Sequence, residues 1–126
     1  MKGQALITLI FFTVIATTVT TAAIIMIAVN AQSGSKFQQG TIVYQIAQSG
    51  ADEAMLRLLR DQSYTGQNNL SVGSGTVDIT KSGSGTVVDP YIITSTGKSG
   101  NFIRKVEVKA TYLDSALSVI SQKEIF

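Results

Sequence analysis

The chain contains no His and no Cys, so its acid–base chemistry rests on eight Asp and Glu residues. Ser-His-Asp relays and thiolate nucleophiles cannot be assembled from that stock. Asp52 and Glu53 are adjacent, and on a helix they point about 100° apart, a poor arrangement for shared proton transfer. Asp78, Asp89 and Asp114 make a calcium site only if the fold gathers them, and loop solvation is the simpler expectation. Gly97-Lys98-Ser99 copies the end of a phosphate-binding loop, but that pattern requires Gly at position 92, where Ile92 stands. It also falls between two strand-like segments with no helix to present amides, so it reads as a turn. A membrane-bound hydrolase would need a catalytic carboxylate, and no residue pair suggests one. The inventory predicts no enzyme, no cofactor and no metal. A net charge of +2, spread along the chain without a basic cluster, predicts no nucleic acid partner.

What remains is hydrophobic chemistry. Ala5 to Val29 is an apolar run of about 25 residues without charge, Pro or Gly, roughly 38 Å long as a helix at about 1.5 Å per residue. That exceeds a hydrocarbon core of about 30 Å. Setting the run apart explains the 44% hydrophobic content and the mean hydropathy of +0.27. From Asn30 on, the chain is rich in Ser, Thr, Gly, Gln and Asn and has the length of one small domain. Within the run, Thr13, Thr17 and Thr21 form an i, i+4, i+8 stripe bordered by Ala16, Thr20 and Ala23. Such a stripe permits close helix contacts in a polymer core. Equally, the hydroxyls can bond back to the i−4 carbonyls in lipid.

Beyond a soft break at residues 31–35, apolar residues recur at Phe37, Ile42, Val43, Ile46, Ala47, Ala51, Ala54, Met55, Leu58 and Leu59. This spacing predicts an amphipathic helix over 36–62. Glu53 and Arg57 form a favourable i, i+4 pair. Gly34, Gly40 and Gly50 are expected to weaken the helix and to allow bends, and residues 64–69 read as the turn that ends it. Antiparallel strands are then expected over about 70–112. Val77 and Ile79 alternate with Thr76, Asp78 and Thr80; a strand at 86–96 carries Val87, Val88, Tyr91, Ile92 and Ile93, with Pro90 marking an edge, a bulge or a strand start. Val106, Val108, Ala110 and Tyr112 alternate with Lys105, Glu107, Lys109 and Thr111, the pattern of a half-buried strand. Gly-Ser-Gly-Thr-Val occurs at 73–77 and again at 83–87, at the length of one strand and turn. The tail, 113–126, reads equally as a strand or a helical turn. The fold class is α+β: a long N-terminal helix, half membrane-type and half amphipathic, on an antiparallel sheet of three to four strands.

Three readings fit the N-terminus. A cleavable secretory signal has a site at Val29-Asn30-Ala31, but the apolar core is too long and Lys2 is its only basic residue. A plain signal anchor would hold a head outside the membrane, with Lys2 and Lys36 giving little orientation bias. The third reading rests on Lys2-Gly3 standing before Gln4-Ala5-Leu6-Ile7-Thr8. This resembles the class III leader of type IV pilins and pseudopilins, in which Gly precedes an apolar helix with a Leu-Ile pair. Gly3, Leu6 and Ile7 match that pattern. Gln4 replaces the usual Phe, and Thr8 replaces a Glu whose carboxylate pairs with a neighbouring amino terminus in major pilins. A neutral Thr leaves no buried charge needing a partner.

The segment from Ser49 to Leu58, the stretch Tyr91-Ile92-Ile93-Thr94-Ser95-Thr96-Gly97 and the basic alternating strand from Arg104 to Val108 look like the helix and final hairpin of PilX-type minor pilins. The resemblance covers about two-thirds of the chain. It implies a leader at 1–3 cut between Gly3 and Gln4, with Gln4 methylated as the new terminus, a membrane and filament-core helix at 4–31, and a head at 32–126. Assembly would run through Leu6, Ile7, Thr8 and the Thr13, Thr17, Thr21 stripe. The implied partners are other pilin or pseudopilin subunits, a prepilin peptidase, an inner-membrane assembly platform and, before assembly, membrane lipid. The implied location is a bacterial cytoplasmic membrane with the head exported, then a surface pilus or a periplasmic pseudopilus. The alternative is a signal-anchored or secreted surface binding domain that never polymerises.

Overall fold

A computed structural model describes residues 2–125; Met1 of the expected leader and Phe126 of the tail lie outside them. Helix α1 runs from Lys2 to Arg60 and is followed by five strands, β1 (Gly66–Val72), β2 (Gly75–Ser82), β3 (Tyr91–Ser99), β4 (Phe102–Leu113) and β5 (Ala116–Ile125). The chain divides into two compact units, Met1–Phe37 and Gln38–Phe126. The expected α+β arrangement is present, a long N-terminal helix with an antiparallel sheet, but the sheet has five strands in the order β1-β2-β3-β4-β5.

Several local expectations are corrected. The break at Ala31 to Ser35 is absent, and helix continues through Gly34 and Gly40. Once turns exist on both sides, each added residue costs only its propagation term, about 1 kcal/mol for Gly, and no new nucleus. The helix ends at Arg60 rather than 62: the Asp61 side chain accepts the Ser63 N–H at 2.9 Å, forming a local turn. Residues 66–69, expected as turn, begin β1. Residues 86–90 are not strand but part of a loop, and β3 starts directly after Pro90, which therefore costs no ladder bond. The tail resolves as β5, paired with β4 and carrying one extra residue, Ile120, opposite Lys109 and Ala110.

Within the second unit, α1 lies on one face of the sheet. Val43, Ile46, Ala47, Ala51, Ala54 and Leu58 are buried against Val77, Ile79, Tyr91, Ile93, Val106, Val108 and Ala110. Phe37, Ile42 and Leu59, expected in the stripe, are exposed instead. The true stripe is narrower because the helix backbone sits close to the strands. A Cβ on Gly50 would collide with Val77 Cγ1 and stand 2.6 Å from Ser95 Oγ. One on Gly97 would stand 2.7 Å from the Val43 carbonyl and 2.8 Å from the Ala47 nitrogen. The buried Ser95 hydroxyl donates to the Ala47 carbonyl at 2.5 Å. Gly50 thus serves the packing that the sequence pattern read as a weakness.

Two glycines therefore differ in sign. Gly50→Ala should destabilise the protein by about 1–3 kcal/mol in urea unfolding, the ordinary penalty of overpacking. Gly34→Ala meets nothing within 4 Å and should slow amide hydrogen exchange at residues 32–36, because Ala favours helix by about 1 kcal/mol over Gly. A neutral Gly50→Ala would show that the close helix–sheet approach is wrong.

Candidate membrane and assembly helix

From Lys2 to Gln39 every described residue is exposed, and Leu6, Ile7, Phe11, Phe12, Ile24, Ile25 and Ile27 are among the bare large apolar side chains. Among the described residues α1 is the helix long and apolar enough to cross a membrane. Its only polar side chains between Ala5 and Val29 are threonines, and these are internally satisfied. Thr13, Thr17 and Thr21 donate to the carbonyls of Leu9, Thr13 and Thr17 at 2.8 Å each. Thr18 and Thr20 do the same to Val14 and Ala16, at 2.8 and 2.7 Å. A hydroxyl bonded to its own helix can enter hydrocarbon without an orphaned donor. The same geometry leaves the stripe free of any polar demand on a neighbouring helix.

Thr8 behaves alike, its hydroxyl donating to the Gln4 carbonyl at 2.8 Å. Gly3 and Gln4 lie in the first turns of α1, and Leu6 and Ile7 are exposed beside them. A Cβ on Gly3 would meet nothing within 4 Å. Packing therefore gives no reason for glycine at that position.

The acidic residues are dispersed, and among the described residues no group of three metal-ligating side chains converges. Asp78, in β2, accepts from Lys98 Nζ at 2.5 Å and from the Asn69 N–H at 2.9 Å. Hydrogen bonding from Lys98, then from Asn69, holds its carboxyl below the ordinary carboxylate value of 3.8. Asp89 sits in the β2–β3 loop with Ser84, and Asp114 in the β4–β5 turn at a φ of 51°. Gly97-Lys98-Ser99 ends β3, with Gly97 buried under the helix, so it is strand rather than the expected turn. The repeated Gly-Ser-Gly-Thr-Val segments differ too: Val77 is buried in β2, whereas Val87 is exposed.

Sequence pattern gives no sign of the cluster that joins the helix to β4 and β5. Arg104 forms a two-pronged ion pair with Glu124, its Nη2 at 2.8 Å from Oε2, and lies over the Tyr44 ring at 5.8 Å. This ties β4, β5 and α1 together across sequence distances that no local spacing reveals. The bond from Arg104 draws the Glu124 carboxyl below its ordinary value. Glu53 and Arg57 pair at 2.8 Å, and Arg57 also donates to Gln67 Oε1 at 2.5 Å, joining the helix end to β1.

Compared with protein-family models, with curated proteins and with solved structures, the chain matches none.

Asp78 and Glu124 both have lowered pKa values when folded, so the unfolded chain binds their protons more readily. The stability they add is complete above the ordinary carboxylate range and disappears as pH falls through the lowered values. Urea midpoints should therefore drop between about pH 5 and pH 2. In Asp78→Asn that acid-dependent fall should be shallower than in the parent chain. An identical pH profile for the two would contradict the Asp78–Lys98 pairing.

Proposed function

We propose that this chain is a minor, pilin-like structural subunit of a type IV pilus or a type II secretion pseudopilus, assembled through its N-terminal helix. The observation that carries this reading is a single helix with two surfaces: Ala5 to Val29 is apolar and bare, while between Val43 and Leu58 one face, carrying Val43, Ile46, Ala47, Ala51, Ala54 and Leu58, is buried against a sheet. A secretory signal has no use for helical continuity with the domain it exports. A subunit drawn out of a bilayer does, because the same rod must hold the head while its cover changes from lipid to neighbouring helices. The unpacked Gly3 before Gln4 supports a site read by a prepilin peptidase, and the back-bonded Thr8 supports a helix that enters a filament core without a charge partner.

In this reading the precursor spans a bacterial cytoplasmic membrane with its head exported, is cut after Gly3 and methylated at Gln4, and then joins other pilins at the assembly platform. The subunit would work by binding and packing, without catalysis, cofactor or nucleic acid. Neutral Thr8 favours a minor role over the bulk of the fibre.

The mass of the mature N-terminus tests it. Protein from the native host should begin at Gln4 with one added methyl group, and Gly3→Val should accumulate as uncut precursor in the membrane. A start at Met1 or Gln32, or normal processing of the variant, would instead support the anchored or secreted surface domain.

A further inference from the structure

Asparagine occurs at positions 30, 68, 69 and 101, and only Asn69 is followed two places on by a hydroxyl residue. Asn69-Leu70-Ser71 fits the Asn-x-Ser/Thr pattern of asparagine-linked glycosylation, with a residue other than Pro in the middle. So short a pattern arises often by chance, and an acceptor must also be exposed and free. Asn69 lies in β1, which forms one edge of the sheet. Gln67 pairs with Ile79 and Leu70 with Val77, which leaves Asn68 and Asn69 opposite Asp78 alone, a bulge of one extra residue. Asn69 has a φ of 55° there, and its N–H donates to Asp78 Oδ1 at 2.9 Å. That conformation alone would suit asparagine, but it does not account for Ser71. Leu70 packs on the core, and Asn69 and Ser71 on either side of it are exposed. Among the described residues neither the Asn69 carboxamide nor the Ser71 hydroxyl has a hydrogen-bond partner.

We propose that Asn69 is the acceptor of an N-linked glycan, transferred at the outer side of the membrane from a sugar carried on a polyprenyl diphosphate. Asn69 Nδ2 attacks the anomeric carbon, and a C–N bond forms as the C–O bond to the diphosphate breaks. The lipid diphosphate leaves with the bonding pair and the amide gives one proton to the transferase, so nothing is oxidised or reduced. The Ser71 hydroxyl is the group such a transferase reads beside the acceptor. The edge itself supplies a reason for a glycan at this place. β1 carries no charged residue, whereas β5, the other edge, carries Lys123 and Glu124. An uncharged edge is a template for pairing with another chain, and a bulky, hydrated glycan at the bulge would shield it. The site rests on the reading above only for the export of the head; cleavage after Gly3 and polymerisation do not enter.

Trypsin cuts after Arg60 and Lys81, so one peptide, 61–81, contains the whole site. Its mass is measured in full-length protein from the native host, together with the mass of the N-terminus. The expected peptide carries sugar, located on Asn69 by fragmentation. Asn69→Gly, which keeps the left-handed backbone, and Ser71→Ala should each abolish the modification. Ser71→Thr and Asn68→Gln should keep it. A bare peptide, or sugar that survives Asn69→Gly or Ser71→Ala, would overturn the site. A bare peptide on chains that begin at Gln4 removes the glycan and keeps the assembly role. A glycosylated peptide on chains that begin at Met1 or Gln32 keeps the glycan and removes that role.

Discussion

Fourteen large apolar side chains between Leu6 and Val29 have no cover within the chain. At about 1.5 kcal/mol each when buried, they amount to on the order of 20 kcal/mol, more than the roughly 5–15 kcal/mol that holds a typical domain together. A surface of that cost does not persist in water. Lipid satisfies it without asking anything of its shape, since the threonine hydroxyls are already bonded inside the helix. A bundle of like helices satisfies it equally and adds contact between packed side chains. The subunit proposed above, first in a bilayer and then in a polymer, requires one helix acceptable to both surroundings.

In the second unit the same helix meets a different demand. A small head with no disulfide and a polar composition must gain its stability from close packing. Glycine and alanine at 47, 50, 51 and 54 let the helix backbone settle onto β2 and β3, where Gly97 and Ser95 receive it. The Ser95–Ala47 hydrogen bond then satisfies a hydroxyl that burial would otherwise penalise. Burial here depends less on large side chains than on their absence at the points of closest approach. The ion pairs Asp78–Lys98 and Arg104–Glu124 work around that contact, joining neighbouring strands at the half-exposed margins.

Much of this fold is legible in the sequence. The apolar run, the amphipathic continuation and the alternation of β4 each follow from a period written over many residues, so the α+β class could be read directly. What escaped depends on partners distant in sequence. Gly50 looks like a defect until Val77 and Ser95 stand opposite it. Ser33-Gly34-Ser35 looks like a break because propensity alone ignores the turns already formed on either side. β5 was ambiguous because an edge strand need not alternate: Val119 and Ile120 are both exposed beside an irregular register. Val87 and Val88 suggest strand at 86–88, yet the brace from Asp89 to Ser84 and Thr86 takes these residues out of the sheet.

The helix and the head are taken to travel together from membrane to filament, and lipid photolabelling examines that most directly. Cells would be irradiated with a membrane-confined diazirine lipid, and the head-bearing chains then recovered separately from the membrane and from sheared surface or periplasmic filaments. The expected result is a peptide covering Ala5 to Val29 in both fractions, heavily labelled in the membrane and nearly unlabelled in the filament, where neighbouring helices have replaced lipid. Heads recovered outside the membrane without that peptide would contradict it, because the rod would then have been left behind.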